Sequence, residues 1–168
     1  AVFDVITERK QAEAKLRALA ERLDLATRSA GLGIWEWDIQ KNELIWDDQM
    51  YAPYGVKREE FQHDYEAWVS GLHPDDRAAS DTASRLARSG EKDYDTQFRV
   101  RWPDGTVRVL QAHAVVIRDA AGQAVRMVGV NHDITERVQA EAALRESEAK
   151  YRVLYEGAAI GIFHSTFE

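Results

Sequence analysis

Hydrophobic side chains follow two different periods along this chain. Residues 7–29 contain no Gly or Pro, and their apolar positions fall on two rows of a heptad that only Arg9 interrupts. Residues 135–156 keep the same heptad register, except that Ser147 takes the place of Leu19. The seam residues are Leu16, Leu19 and Leu23 in the first stretch and Leu144, Tyr151 and Leu154 in the second. The pattern predicts two helices that pair with a second copy as a coiled coil. The alternative is a helix that lies on its own domain.

Between the two helical stretches the period changes to two, which is typical of strands. "GIWEWDIQ" (33–40) alternates and "ELIW" (43–46) follows after a short turn, so the pair predicts a hairpin. Residues 47–90 offer only short helical pieces, the last of which has Pro74 in its first turn. Three further strands are predicted, at 94–101, 106–119 and 124–133. This order predicts an α+β domain, with one antiparallel sheet and short helices over one face.

A repeat marks both ends of the chain. Residues 6–17 and 134–145 share ten identities in twelve positions, and "AGLGIW" (30–35) aligns with "AAIGIF" (158–163) at the same offset of 128 residues. A period this long indicates tandem globular domains rather than a solenoid. We therefore expect one whole unit, with the tail of one copy before it and the head of another after it.

The composition narrows the class of protein. A hydrophobic content of 45% with 30% charged residues fits a globular domain, and the net charge of −7 without a basic stripe argues against nucleic acid as a partner. No apolar run is long enough to span a bilayer, so we expect no direct membrane contact and a cytoplasmic location, although the whole protein could be anchored. With no cysteine, the chain has neither disulfides nor thiolate metal sites.

Four motifs together resemble the PAS domains of bacterial sensor proteins. They are "GIWEWD" (33–38), "HPDD" (73–76), "WPDG" (102–105) and "DITER" (133–137), with Trp102 where Arg is commoner. The resemblance implies a PAS fold whose five-stranded antiparallel sheet has the order 2-1-5-4-3, flanked by linker helices. It also implies four segments. Residues 1–29 are the tail of a preceding PAS domain and a linker helix, 30–134 a complete domain, 135–156 a signalling helix, and 157–168 the start of a following domain.

The resemblance also implies a pocket between the sheet and the short helices. Alternation along the first strand puts Trp35 and Trp37 on one face, which makes that face the core side. The candidate pocket residues are Trp35, Trp37, Phe98, Val100, Leu110, Ala112, Met127 and Asn131. Only Asn131 among them is polar. The two indoles could fill this space completely, so both a solid core and a ligand pocket are consistent with the sequence.

The sequence gives little reason to expect a bound cofactor or a catalytic site. By resemblance, photoreactive flavin PAS domains use a cysteine and haem-binding ones a histidine on the long helix, and both are missing here. No cofactor is therefore expected, although a non-covalent flavin or another small ligand is possible. "HPDDR" (73–77) could be an acid–base or metal group, but it is better explained as the start of a helix, and His113 falls on an outward strand face. We expect no catalytic residue, no metal site and no enzyme activity in this segment.

The repeated phrase is interpreted as a joint between domains. Asp133 can cap the outgoing helix with Glu136 three residues on, and Thr135 offers a second local acceptor, so these three residues are expected to transmit the signal. The expected function is a sensory relay that acts through coiled-coil linkers on an output domain of the same protein. By family association that output is a histidine kinase in a two-component phosphorelay. A diguanylate cyclase, a chemoreceptor or a cofactor-binding redox or light sensor are the alternatives. The expected partners are a second copy of the chain and the adjacent PAS and output domains.

Overall fold

The computed structural model describes the backbone of residues 2–163 and the side chains of residues 7–156. The chain divides after Asp133 into two compact units. The first holds helix α1 (Val2–Ala30) and the sheet with its short helices, and the second holds helix α5 (Thr135–Phe163). The predicted start of a following domain at 157–168 lies outside the described side chains and stays a prediction.

The sheet has five antiparallel strands in the order β2-β1-β5-β4-β3, as the resemblance implies. Its strands are β1 (Leu32–Asp38), β2 (Glu43–Trp46), β3 (Tyr94–Arg101), β4 (Val107–Arg118) and β5 (Ala124–Asp133). The predicted first strand ran to residue 40. It ends at Asp38 because the Asp38 carboxylate accepts the N–H groups of Gln40 and Lys41 and so begins the turn.

Short helices cover one face of this sheet. They are α2 (Asp48–Tyr54), α3 (Tyr65–Gly71) and α4 (Arg77–Ser89), with 3₁₀ turns at Arg58–Glu60 and Pro74–Asp76. Asp47 caps α2 by accepting from Gln49 and Met50, and Asp64 caps α3 by accepting from Ala67. The sequence predicted one helix that begins at Pro74. The structure instead has a 3₁₀ turn at Pro74–Asp76, followed directly by α4.

The hydrophobic core lies between the sheet and these helices. Four of the five tryptophans belong to it, namely Trp35, Trp37, Trp46 and Trp68. The aromatic rings contact one another in pairs, such as Trp46 with Phe61 at 3.8 Å between centroids and Trp37 with Tyr65 at 4.6 Å. In the described part of the chain, no helix combines the length and the apolar character needed to cross a membrane.

Candidate functional site

Strand β1 presents its tryptophans to the core. Trp35 and Trp37 are 9% and 6% exposed, while Ile34 and Glu36 on the other face are half-buried. Trp35 pairs with Gly129 of β5, and a Cβ placed on Gly129 would collide with the Trp35 ring and lie 2.7 Å from the carbonyl oxygen of His113. The absence of a side chain at Gly129 is thus what leaves room for the Trp35 indole next to β5.

A buried network of hydrogen bonds joins the helices to β5. The Trp35 indole N–H donates to Asn131 Oδ1 at 2.9 Å, and the Asn131 amide donates to the Tyr54 hydroxyl at 3.0 Å. The Trp68 indole N–H donates to the same hydroxyl at 3.1 Å. Burial raises the pKa of Tyr54 far above its usual value, so the hydroxyl stays protonated at any physiological pH. The network therefore connects α2, α3, β1 and β5 through neutral groups.

These side chains surround a small internal cavity of about 30 Å³. Five predicted pocket residues line it: Trp35, Trp37, Phe98, Met127 and Asn131. Val100, Leu110 and Ala112 are fully buried but lie in the packed core without reaching the cavity. Eight further residues complete the lining and were not predicted from the sequence: Leu44, Trp46, Met50, Tyr54, Tyr65, Trp68, Ser84 and Tyr94. Met50 and Tyr54 are four apart on α2, and that spacing on one helix face was the available signal.

The HPDD motif protects an edge of the sheet. Strand β3 is an edge strand, and the carbonyl of its Arg99 accepts the N–H of His73 at 2.8 Å. Asp76 accepts the backbone N–H of Arg99 at 2.7 Å and binds its guanidinium through both carboxylate oxygens, at 2.6 and 3.0 Å. The motif thus occupies the backbone groups that an unprotected edge would offer to another strand. Asp76 lies at the start of α4, as predicted, but its carboxylate binds β3 and makes no capping bond to the helix.

Replacing Asp76 with Asn is expected to lower the free energy of unfolding by about 1–2 kcal/mol at pH 7, since charge-assisted hydrogen bonds are lost. The Arg99 guanidinium holds the pKa of Asp76 below its ordinary 3.8. Its stabilisation is therefore complete at neutral pH and is lost as the pH falls below about 4, through the folded-state pKa. Urea unfolding at pH 7 and pH 3 measures this. Asp75→Asn, at a neighbouring side chain that is 73% exposed, is the matched control and should change little. Equal effects of the two variants would contradict this role of Asp76.

Residues near the end of β5 form a second group of contacts. The Arg108 guanidinium lies 3.8 Å from the Asp133 carboxylate and 5.1 Å from the centre of the Trp102 ring. The Trp102 indole N–H donates to the carbonyl oxygen of Pro53 at 2.8 Å. Asp133 is the last residue of β5, Thr135 is buried and Glu136 is exposed. Helix α5 begins at Thr135, and capping of this helix by Asp133 and Glu136 stays a prediction.

The family model described as PAS fold matches residues 43–131, more than half of the chain. The chain belongs to the PAS family. It is 30% identical to the sensory box histidine kinase/response regulator from Burkholderia thailandensis, with a TM-score of 0.66, over 78% of this chain and 98% of that structure. The PAS assignment and the predicted sheet order are confirmed.

Two curated relatives of this PAS domain belong to signalling proteins. One is the probable diguanylate cyclase DgcE of Escherichia coli K12, 28% identical over 153 residues, and the other is the sensor protein FixL of Bradyrhizobium diazoefficiens, 32% identical over 122 residues. The matches cover 91% and 73% of this chain but only 14% and 24% of those proteins. The chain is a PAS sensor module of the kind found in signal-transduction proteins, and the PAS domain itself is non-catalytic.

The PAS core in this conformation does not have room for a large cofactor. Pockets for ligands of that size occupy roughly 300–1,000 Å³, whereas a space of about 30 Å³ holds about one water molecule. Helix α4 contains no histidine and the chain no cysteine, so neither haem ligation from that helix nor a cysteinyl–flavin bond is available. Among the described residues, no group of three or more His, Asp or Glu side chains is placed to hold a metal ion.

The predicted seam residues of the PAS linkers are exposed in the single chain. Leu16, Leu19 and Leu23 of α1 are 68%, 61% and 58% exposed. The corresponding residues of α5, namely Leu144, Tyr151 and Leu154, are 60%, 63% and 67% exposed. The alternative that α1 rests its leucines on its own domain is therefore wrong. Pairing of these helices with a second copy stays a prediction.

Proposed function

We propose that this PAS domain is a relay segment of a longer signalling protein. It receives a change in its core and passes it through α5 to an output domain. The observation that carries the proposal is the buried network on Asn131, which contacts Tyr54 of α2 on one side and lies in β5, two residues before Asp133. A displacement of α2 that moves Tyr54 would alter the hydrogen bonds of Asn131 in β5, the strand that ends just before α5, and α3 is connected to Asn131 through the bond of Trp68 to the same hydroxyl.

The proposed output is a histidine kinase, with a diguanylate cyclase as the second candidate. A solved relative from a histidine kinase/response regulator supports the first, and the similarity to DgcE supports the second. The small share of each curated relative that this chain spans, and the repeat of 128 residues within it, support a position among several domains. Adjacent PAS domains and the output domain would then be its partners.

The proposed relay acts in a parallel dimer formed by the linker helices. The leucines at heptad spacing are more than half exposed in the single chain. When two helices pair, this apolar surface is removed from water, which stabilises the dimer by roughly 25 cal/mol per Å² of surface buried. Both α1 and α5 carry apolar residues at heptad spacing, so each helix can pair with its counterpart in a second copy. Such an interface has discrete alternative packings, so a shift of α5 against its partner can carry a signal.

Changing Leu16 and Leu23 together to Asp is expected to convert a dimer at about 100 μM into a monomer, because four charges would then lie in one seam. Sedimentation equilibrium of the 168-residue chain measures the effect. Leu25→Asp is the matched control, since Leu25 is an equally exposed α1 leucine (67%) off the seam. A wild-type chain that sediments as a monomer at this concentration would remove the coiled-coil part of the proposal.

A further inference from the structure

An open groove of about 540 Å³ lies on the surface of the domain, outside the core cavity. One side is formed by Phe61, which stacks on Trp46 with 3.8 Å between ring centroids. The other side is formed by Trp102 at the turn between β3 and β4. The groove has the volume typical of sites for small organic molecules, and its aromatic walls suit a flat or branched apolar body.

Arg101 supplies the positive charge in the lining of this groove. Arg101 lines it and is exposed, and its guanidinium has no hydrogen-bond or ion-pair partner among the described residues. The nearest arginines along β3 and β4 differ, since Arg99 binds Asp76 and Arg108 approaches Asp133. Glu60 also lines the groove, accepts the backbone N–H of Lys57 at 3.3 Å and keeps its negative charge. Arg101 is therefore the group that an anionic ligand can pair with, and a planar guanidinium recognises carboxylates through two parallel hydrogen bonds.

The groove and the core cavity share a wall. Trp46 and Tyr54 line both spaces, and the hydroxyl of Tyr54 holds the Asn131 amide. Trp102 is fixed to α2 by its bond to Pro53, and a Cβ on Gly55 would collide with the Trp102 ring. A ligand in the groove that displaces Tyr54 would disturb its hydrogen bond to Asn131 of β5. A ligand that displaces Trp102 would disturb Arg108, which lies over the Trp102 ring and near Asp133 at the end of β5.

We propose that this groove binds a small organic carboxylate with a flat or branched apolar body. Arg101 pairs with the carboxylate, and Phe61 and Trp102 enclose the apolar part. An effect of the ligand on α5 rests on the relay function proposed above, whereas ligand binding in the groove does not. Binding and relay are therefore tested by separate measurements, and one can fail without the other.

The test follows the indole N–H resonance of Trp102 in the ¹⁵N-labelled 168-residue chain, assigned with a Trp102→Phe variant. Phenylacetate and 3-methylbutanoate are the probes, and phenylacetamide is the uncharged counterpart. We expect a saturable shift with at least one of the carboxylates and none with the amide. Arg101→Gln should weaken binding by about tenfold or more, because a charge-assisted hydrogen bond is lost. Arg85→Gln, at an exposed arginine of α4, should leave the affinity unchanged.

A groove-filling variant gives a second, independent readout. Ser70 is an exposed α3 residue in the lining, so Ser70→Phe should abolish the shift while the thermal unfolding of the chain stays normal. The proposal is overturned if neither carboxylate moves the Trp102 resonance at about 20 mM, a concentration that would detect even millimolar affinity. It is also overturned if Arg101→Gln binds as tightly as the wild type, or if phenylacetamide binds equally well.

Discussion

Truncating Trp35 to alanine is expected to lower the free energy of unfolding by about 3–5 kcal/mol, as loss of a large buried aromatic does. The indole fills the space over Gly129, contacts the Tyr94 ring edge-on at 6.0 Å and donates to Asn131. Its removal leaves a cavity that the rigid sheet cannot close, together with a buried Asn131 oxygen that has lost its donor. Trp37→Ala should cost a similar amount, because that indole is 6% exposed and stacks on Tyr65.

Urea unfolding of the two tryptophan variants measures this loss. Ile34→Ala is the matched control, because Ile34 lies between Gly33 and Trp35 on the opposite, half-buried face of β1. Its truncation should cost clearly less. If the tryptophans instead border a pocket that opens to ligands, the loss would be smaller and binding would change. Unchanged unfolding of Trp37→Ala, without any effect on binding, would contradict the assignment of the core face.

Replacing Asp133 with alanine is expected to uncouple input from output in the longer protein while barely affecting folding. Loss of a helix cap typically costs about 1 kcal/mol. Asp133 ends β5, and the Arg108 guanidinium lies 3.8 Å from its carboxylate, so the change also removes the attraction between these two groups. The output activity should then stay at one level under conditions where that of the wild type responds.

Asp119→Ala is the matched control for this variant. Asp119 accepts the N–H groups of Ala121 and Gln123 in the turn between β4 and β5, so it makes at a strand end the kind of local backbone hydrogen bonds that are predicted for Asp133. Its loss should have a similar small cost to stability and no effect on the response. A normal response of Asp133→Ala would mean that the linkers only space the domain from its neighbours.

Local patterns were sufficient to predict the elements of this domain. Alternation in "GIWEWD" placed Trp35 and Trp37 on the buried face, and turn residues placed the hairpins. The strand order did not come from periodicity, since pairing of β1 with β5 joins residues about 90 positions apart. It followed from the resemblance alone.

The interactions that join the site across the fold were not predicted from the sequence. Tyr54 and Asn131 are 77 residues apart, and Trp102 reaches Pro53 across 49 positions. Asp76 lies at the start of a helix as predicted, but its partner Arg99 is 23 residues away and was not predicted. Local propensity does not encode such pairs, because they depend on how the hairpins and short helices are brought together.

The most direct test of the relay is the distance between the two α5 helices of a dimer. The chain has no cysteine, so Glu148→Cys, at an exposed α5 position, carries a single spin label whose separation across the dimer is measurable by electron spin resonance. Trp35→Phe supplies a defined change in the core, since it removes the donor to Asn131. We expect this variant to shift the label distance, and we expect the addition of Asp133→Ala to abolish the shift. Transmission from the PAS core to α5 through this joint would be contradicted if the label distance were unchanged in Trp35→Phe. It would also be contradicted if Trp35→Phe shifted the distance equally with and without the additional Asp133→Ala substitution.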